Sequence, residues 1–120
     1  MSNAKYMKNK KNRVFISGLF NVLHPGHIRL FKFASELADE VVVGLHKKTE
    51  SDAQMFEDEE RLQALKTVSL IHHTVLVDDL SKTLRELKPE IVLKGSEFKH
   101  RCNPEENVLD EWGVKLVFSS

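Results

Sequence analysis

The chain has 120 residues, the length of one domain, which excludes a pair of independent catalytic domains or a long repeat array. Its 41% apolar and 30% charged residues are the composition of a folding globular chain and not of a disordered tail. Eighteen Lys and Arg balance eighteen Asp and Glu, so no net field is available to hold a nucleic-acid backbone or an anionic membrane.

Residues 1–12 are polar, rich in Lys and Asn and without period, and Ser2-Asn3-Ala4 looks like an expression scar. This stretch is expected to be a disordered N-terminal segment ahead of a folded domain at residues 13–120. From Arg13 onward, short β-rich runs alternate with helical patterns, the signature of βα units wound into a parallel sheet. Val14-Phe15-Ile16 does not alternate and reads as a first strand buried on both faces, ended by Gly18. Between Gly26 and Asp39, the polar Arg29, Lys32, Glu36 and Asp39 recur at helical spacing, with Leu30, Ala34, Leu37 and Ala38 on the other side.

Val41 to Leu45 is the second strand, and Lys47 to Phe56 a polar loop. A helix with Leu62, Leu65 and Val68 inward follows, its acidic start at Glu57 to Glu60 facing the positive end of the helix dipole as a solvated run. Thr74 to Val77 is the third strand; Asp78 or Asp79 caps a short helix with Leu84 and Leu87 inward, stopped by Pro89. Ile91-Val92-Leu93 is the fourth strand. Asn103 and Pro104 open a helix carrying Val108, Leu109 and Trp112 that ends at Gly113, and Val114 to Phe118 is the fifth strand. The predicted architecture is an α/β, Rossmann-like, doubly wound five-stranded parallel sheet with helices on both faces, whose ligands bind beyond the carboxyl ends of the strands.

Chemistry concentrates in the first of those carboxyl-end loops, Gly18-Leu19-Phe20-Asn21-Val22-Leu23-His24-Pro25-Gly26-His27. Two histidines three apart sit at a strand-to-helix turn, where unsatisfied backbone N–H groups and the helix dipole favour an anion, so the turn suits phosphate. Gly26 and Gly18 are expected to let the backbone approach a ligand closely.

This stretch closely resembles the H-x-G-H motif of the nucleotidyltransferases, in the longer G-x-F-[DN]-x-x-H-x-G-H form of the cytidylyltransferase-like group. The resemblance runs from Arg13 to Phe118. Glu60-Arg61, followed by Leu62 and Leu65, is similar to the family's E-R-x-x-x-L segment. Leu87 to Phe98 resembles the L-K-P-D-x-x-V-K-G-x-D-[YF] run of the ADP-heptose synthase type and tilts the acceptor toward sugar phosphates; glycerol-3-phosphate cytidylyltransferases are the other near type.

The resemblance implies nucleotidyl transfer from ATP or CTP to a small phosphorylated acceptor, a sugar or polyol phosphate, with release of pyrophosphate. It implies His24, His27 and Arg61 as catalytic residues, and Gly18, Leu19, Phe20, Asn21, Gly26, Lys47, Lys48, Lys94, Gly95 and Glu97 as nucleotide-binding ones. Mg²⁺ is expected with the triphosphate, held by phosphate and water and by no protein metal site.

Two departures stand beside the match. Lys48 occupies the place of the family's common Asp, and the chain stops at Ser120 before the family's G-x-S-T-[ST] segment, so the domain is expected to lack that C-terminal segment. These departures favour two alternatives, a nucleotide-binding module without turnover and one domain of a longer bifunctional protein. A flavodoxin-like signalling domain, with Asp78-Asp79 as its acidic cluster, is a rival that gives the histidine turn no purpose.

His72 and His73 are adjacent and point to opposite faces if extended, which suits surface or interface residues better than a metal site. His46, Phe98 and His100 lie in carboxyl-end loops and either touch ligand or do not. Cys102, the only cysteine, forms no internal disulfide and receives no role. Without a signal-peptide core or an apolar run of roughly eighteen residues, the expected compartment is the cytoplasm, with no membrane or nucleic-acid partner and a homodimer as the expected assembly.

Overall fold

The computed structural model of the chain describes residues 12–95 and 114–118. Along the chain these form strand β1 (Arg13–Gly18), helix α1 (Pro25–Leu37), β2 (Glu40–His46), helix α2 (Asp58–Lys66), β3 (His73–Val77), helix α3 (Leu80–Leu87), β4 (Ile91–Lys94) and β5 (Lys115–Phe118). The loop expected at Lys47 to Phe56 contains one turn of 3-10 helix at Glu50–Asp52. The helix expected from Asn103 to Gly113, with Trp112, lies outside the described residues, as do Glu97, Phe98, His100 and Cys102.

All five strands are parallel, in the order β3-β2-β1-β4-β5. Because consecutive side chains of a strand face opposite ways, each central strand serves two cores at once. Val14 and Ile16 of β1, Val41, Val43 and Leu45 of β2 and Leu93 of β4 pack with Phe31 and Ala34 of α1 and Leu65 of α2. On the opposite face Phe15, Val42 and Val92 pack with Leu84 of α3. The sheet is therefore doubly wound, with helices on both sides, as the alternating pattern of the sequence implies.

Gly44 belongs to this packing. A Cβ there would stand 2.6 Å from Phe15 Cζ and 2.7 Å from Val77 Cγ2, so the ring of Phe15 lies where a side chain on β2 would be. Helix α3 is capped by Asp79, whose carboxylate accepts the Lys82 N–H at 3.3 Å; it ends at Lys88, which takes the left-handed conformation with φ 47° just before Pro89.

At the amino ends of the strands, polar side chains close the sheet. Arg13 Nε donates to Glu40 Oε1 at 3.1 Å, the Arg13 backbone N–H donates to Glu90 Oε1 at 2.8 Å, and the Val41 N–H donates to His72 Nδ1 at 2.9 Å. His73 Nε2 lies 3.4 Å from Glu40 Oε2. The Arg13 hydrogen bond, helped by His73 and opposed by burial, holds the Glu40 carboxyl below its ordinary range.

The strand order reverses direction between β1, which leads through α1 to β2, and β4 on its other side. The carboxyl ends of β1 and β4, at Gly18 and Lys94, therefore flank the crevice in which sheets of this kind bind ligands.

Candidate active site

The chain leaves β1 at Gly18 and turns sharply. Phe20 adopts a left-handed conformation with φ 43°, its ring buried and lying over Gly18, where an added Cβ would meet Phe20 Cζ at 3.0 Å. Gly18 is thus small to make room for Phe20, and the room expected there for a nucleotide holds this ring instead.

His24 is the N-cap of α1, in extended conformation, and it caps in a reciprocal manner. Its Nδ1 accepts the Gly26 N–H at 3.0 Å, while its own backbone N–H donates to His27 Nδ1 at 3.2 Å. This is the capping box of helix starts, with two imidazoles in place of the usual hydroxyl and carboxylate. The intervening residues fit the same geometry. Pro25 occupies the first helical position, where its missing N–H removes no bond. Gly26 is required because a Cβ would stand 2.7 Å from His24 Cε1. The two rings come to rest with centroids 3.9 Å apart and planes 31° apart.

Two chemical consequences follow. A neutral imidazole whose Nδ1 accepts a hydrogen bond carries its proton on Nε2, so both rings are assigned as Nε2–H donors. The backbone N–H groups of the first turn are engaged internally: Gly26 with the His24 ring, and His27 and Ile28 with the His24 carbonyl at 2.9 and 3.3 Å. From the sequence, those N–H groups are expected to face an anion as unsatisfied donors. In the structure the Gly26 N–H polarises the His24 ring, and the His24 N–H the His27 ring, so the positive helix end is relayed through imidazole to Nε2.

Arg61, expected among the catalytic residues, is held by the protein itself. Its side chain is fully buried, 0% exposed. Nε donates to the Phe56 carbonyl at 3.0 Å, Nη1 to the carbonyls of Leu19 at 2.7 Å and His46 at 3.0 Å, and Nη2 to Asp58 Oδ1. One guanidinium thereby ties the exits of β1 and β2 to the start of α2. Asp58 also accepts the Lys48 N–H at 2.9 Å, so it is a working member of this node and not part of a purely solvated acidic run. Its position three residues before Arg61 on a helix was the one local signal of that pairing.

The remaining candidates lie around this node. Asn21 Oδ1 accepts the Phe56 N–H at 2.8 Å, joining the turn after β1 to the loop after β2. The Lys48 ammonium pairs with Glu57, and the Lys47 ammonium lies 3.9 Å from Asp78 Oδ2. In the same loop, hydrogen bonds from the Thr49 backbone and hydroxyl hold the Asp52 carboxyl below its ordinary range. Leu19 is exposed; Lys94, the last residue of β4, and Gly95 just after it are half-buried. The structure thus brings together Gly18, Phe20, Gly26, His24 and His27 in one turn, with Leu19, Asn21, Lys48 and Arg61 tied to it through hydrogen-bonded backbone. Lys47 pairs away from that node, and Glu97 lies outside the described residues. No local pattern marks Phe56, whose backbone N–H and carbonyl are both held in the node while its ring is exposed. Among the described residues, no three His, Cys, Asp or Glu side chains converge as a metal cage, and no helix is long and apolar enough to cross a membrane.

Comparison with known proteins identifies the family of the chain. The model of the family described as cytidylyltransferase-like matches residues 15–116. The chain is 28% identical over 116 residues to a FAD synthase of Pyrococcus abyssi, covering 90% of this chain and 78% of that protein. It is 30% identical over 100 residues to the bifunctional protein HldE of Campylobacter concisus, covering 77% of this chain but only 21% of the relative. A solved lipopolysaccharide core biosynthesis protein from Thermoplasma volcanium superposes with TM-score 0.77 at 28% identity, covering 92% of this chain and 97% of that one. With the histidine turn lying inside the matched span and the sheet shared with a solved relative, the chain belongs to the cytidylyltransferase-like family of nucleotidyltransferases.

Proposed function

We propose that this chain transfers AMP or CMP from a nucleoside triphosphate to a small phosphorylated acceptor. An acceptor phosphate oxygen attacks the α-phosphorus in line; the bond from that phosphorus to the bridging oxygen of the β-phosphate breaks, and pyrophosphate leaves with the electron pair. No protein nucleophile takes part, so the rate depends on positioning and on donors aimed at developing charge. The observation that carries this reading is the reciprocal cap, which fixes two adjacent Nε2–H donors at a helix start beside the crevice.

In this scheme His24 and His27 donate to phosphate oxygens of the triphosphate, and Lys48, released from Glu57, and Lys94 add charge from the neighbouring loops. Arg61 acts through the backbone it holds. Mg²⁺ enters with the triphosphate, its ligands supplied by phosphate oxygens and water, and no step above is routed through it.

The acceptor is a sugar or polyol phosphate, a reading supported by the Leu87 to Phe98 run and by the HldE relative. A second reading, a flavin phosphate, is favoured by the FAD synthase relative, whose adenine-containing product also favours ATP over CTP as donor. The bifunctional relative keeps open the alternative that this chain works as one domain of a longer protein.

The test is a pyrophosphate-release screen, ATP and CTP crossed with sugar phosphates, polyol phosphates and flavin mononucleotide, run beside His24→Ala and His27→Ala. Release by wild type with one donor–acceptor pair, lost in both variants, is the expected result. Equal release by all three proteins would remove the histidines from the mechanism.

A further inference from the structure

Among the described residues only two non-glycine positions have positive φ, Phe20 at 43° and Lys88 at 47°. Lys88 closes a helix, an ordinary place for that conformation. Phe20 closes none, and a bulky aromatic residue persists in the left-handed region only where its surroundings hold it.

Those surroundings are specific. The carbonyl just before Phe20, that of Leu19, is held by Arg61 Nη1 at 2.7 Å. The ring then descends over Gly18 and meets two others. Its centroid is 5.6 Å from that of Phe31, in the core face of α1, and 5.3 Å from that of His27, with an interplanar angle of 77°. The His27 contact is the edge-to-face arrangement that aromatic quadrupoles favour.

From this geometry we infer that Phe20 is a positioning residue for His27, a wall that sets the tilt of the imidazole while the His24 N–H sets its rotation. The bond at Nδ1 leaves rotation about its own axis, and the His24 ring, its centroid 3.9 Å away, covers one face of the imidazole. Held also against Phe20, the His27 ring keeps Nε2 in one direction, and Phe20 itself is immobilised between the pinned Leu19 carbonyl and Phe31. Gly18 is part of the same device, because its missing side chain is what lets the ring reach His27.

The kinetic arm of the test rests on the nucleotidyl-transfer reading; the spectroscopic arm does not. Phe20→Leu keeps an apolar side chain of similar size and removes the flat wall. Gly18→Ala leaves Phe20 and His27 chemically intact but places a methyl 3.0 Å from Phe20 Cζ, so the ring must shift. Each is compared with wild type by kcat and KM for pyrophosphate release, corrected for folded fraction, and by ¹⁵N chemical shifts of the imidazoles, with His27 assigned through His27→Gln.

The expected result for both variants is a kcat about tenfold lower with KM for the nucleotide within about twofold, since misplacing a donor weakens the transition state more than the ground state. The His27 ¹⁵N shifts should move from those of a single Nε2–H tautomer toward averaged values. Wild-type kcat in both variants, or a fall in kcat with unmoved His27 shifts, would overturn the proposal. If Phe20→Leu does not fold, Gly18→Ala decides alone. If wild type releases no pyrophosphate with any pair, the functional reading fails and the ¹⁵N shifts by themselves judge the role of Phe20.

Discussion

The two ends of the parallel sheet are closed by different means. At the amino ends, charged side chains bond partly to one another, as Arg13, Glu40 and His73 do, and Arg13 remains 43% exposed. At the carboxyl ends, His24, His27, Asn21 and Arg61 bond backbone groups of the turns, and Arg61 has lost all contact with water. Exposed ion pairs tolerate exchange and contribute little. A side chain that satisfies the backbone of three separate segments fixes loop shape, which is what a site needs to aim its donors.

Breaking the carboxyl-end node should have the largest effect. Arg61→Ala leaves the Leu19, His46 and Phe56 carbonyls and the Asp58 carboxylate without their donor, and we expect a loss of about 3–5 kcal/mol in urea unfolding. Arg61→Lys should regain only part of this, because one ammonium cannot serve the same fork of acceptors. A loss below about 1 kcal/mol on Arg61→Ala would show that the node is not what holds the turns.

Next come the histidines, where the contrast between the two ends is sharpest. His24→Ala and His27→Ala should each lower kcat by about a hundred- to a thousandfold, the effect of removing one aimed donor, and His24→Ala should also lose about 1 kcal/mol of helix capping. His72→Ala, at the amino end, should leave turnover per folded molecule unchanged although it also removes an imidazole that accepts a backbone N–H. Comparable losses of turnover per folded molecule at both ends would mean that the histidine turn has no special part in the chemistry.

Between the ends, Gly44→Ala tests the sheet that joins them. Its methyl would enter the space of the Phe15 ring and Val77, and such overpacking should destabilise by about 1–3 kcal/mol. Both lie on the α3 face, away from the α1 face where Phe20 and Phe31 pack, so kcat of the folded fraction should not change.

How much of this was legible in the sequence follows the same division. The strands could be read because Val14 to Ile16 and Val41 to Leu45 are unbroken apolar runs, and α1 because its polar residues recur at helical spacing. The histidine turn was visible as a motif, since a cap at N-cap and N3 has a fixed spacing of three. Its internal bonding was not, because imidazole is an uncommon capping group and pattern alone does not say whether its nitrogens face backbone or ligand. The partners of Arg61 are not legible for a plainer reason. The E-R-x-x-x-L segment marks the residue and not its bonds, and two of the carbonyls that it holds lie 42 and 15 residues earlier in the chain, beyond any local pattern. Phe20 looked like part of a binding loop, and only its backbone conformation reveals that its ring belongs to the core.

The smallest effect belongs to the amino end, and its sign can be worked out. Hydrogen bonding to Arg13 holds the Glu40 carboxyl below its ordinary value of 4.5 in the folded state. A group whose folded pKa is lowered contributes stability that is complete above the unfolded value and is lost as pH falls through the folded one. Glu40→Gln should therefore cost about 0.5–1 kcal/mol near neutrality, in line with partly exposed pairs. The gap in Tm between wild type and variant should close as pH drops below 4.5. Because His73 also bonds Glu40, the measurement is repeated in a His73→Gln background, where the remaining gap reports the Arg13 share. High salt should shrink that share, whereas it should leave the Arg61 node unaffected, since screening reaches exposed pairs and not a guanidinium sealed from solvent. A gap that stays constant down to strongly acid pH would mean that the amino-end carboxylate is held by packing and not by charge, and the distinction between the two ends of the sheet would lose its electrostatic basis.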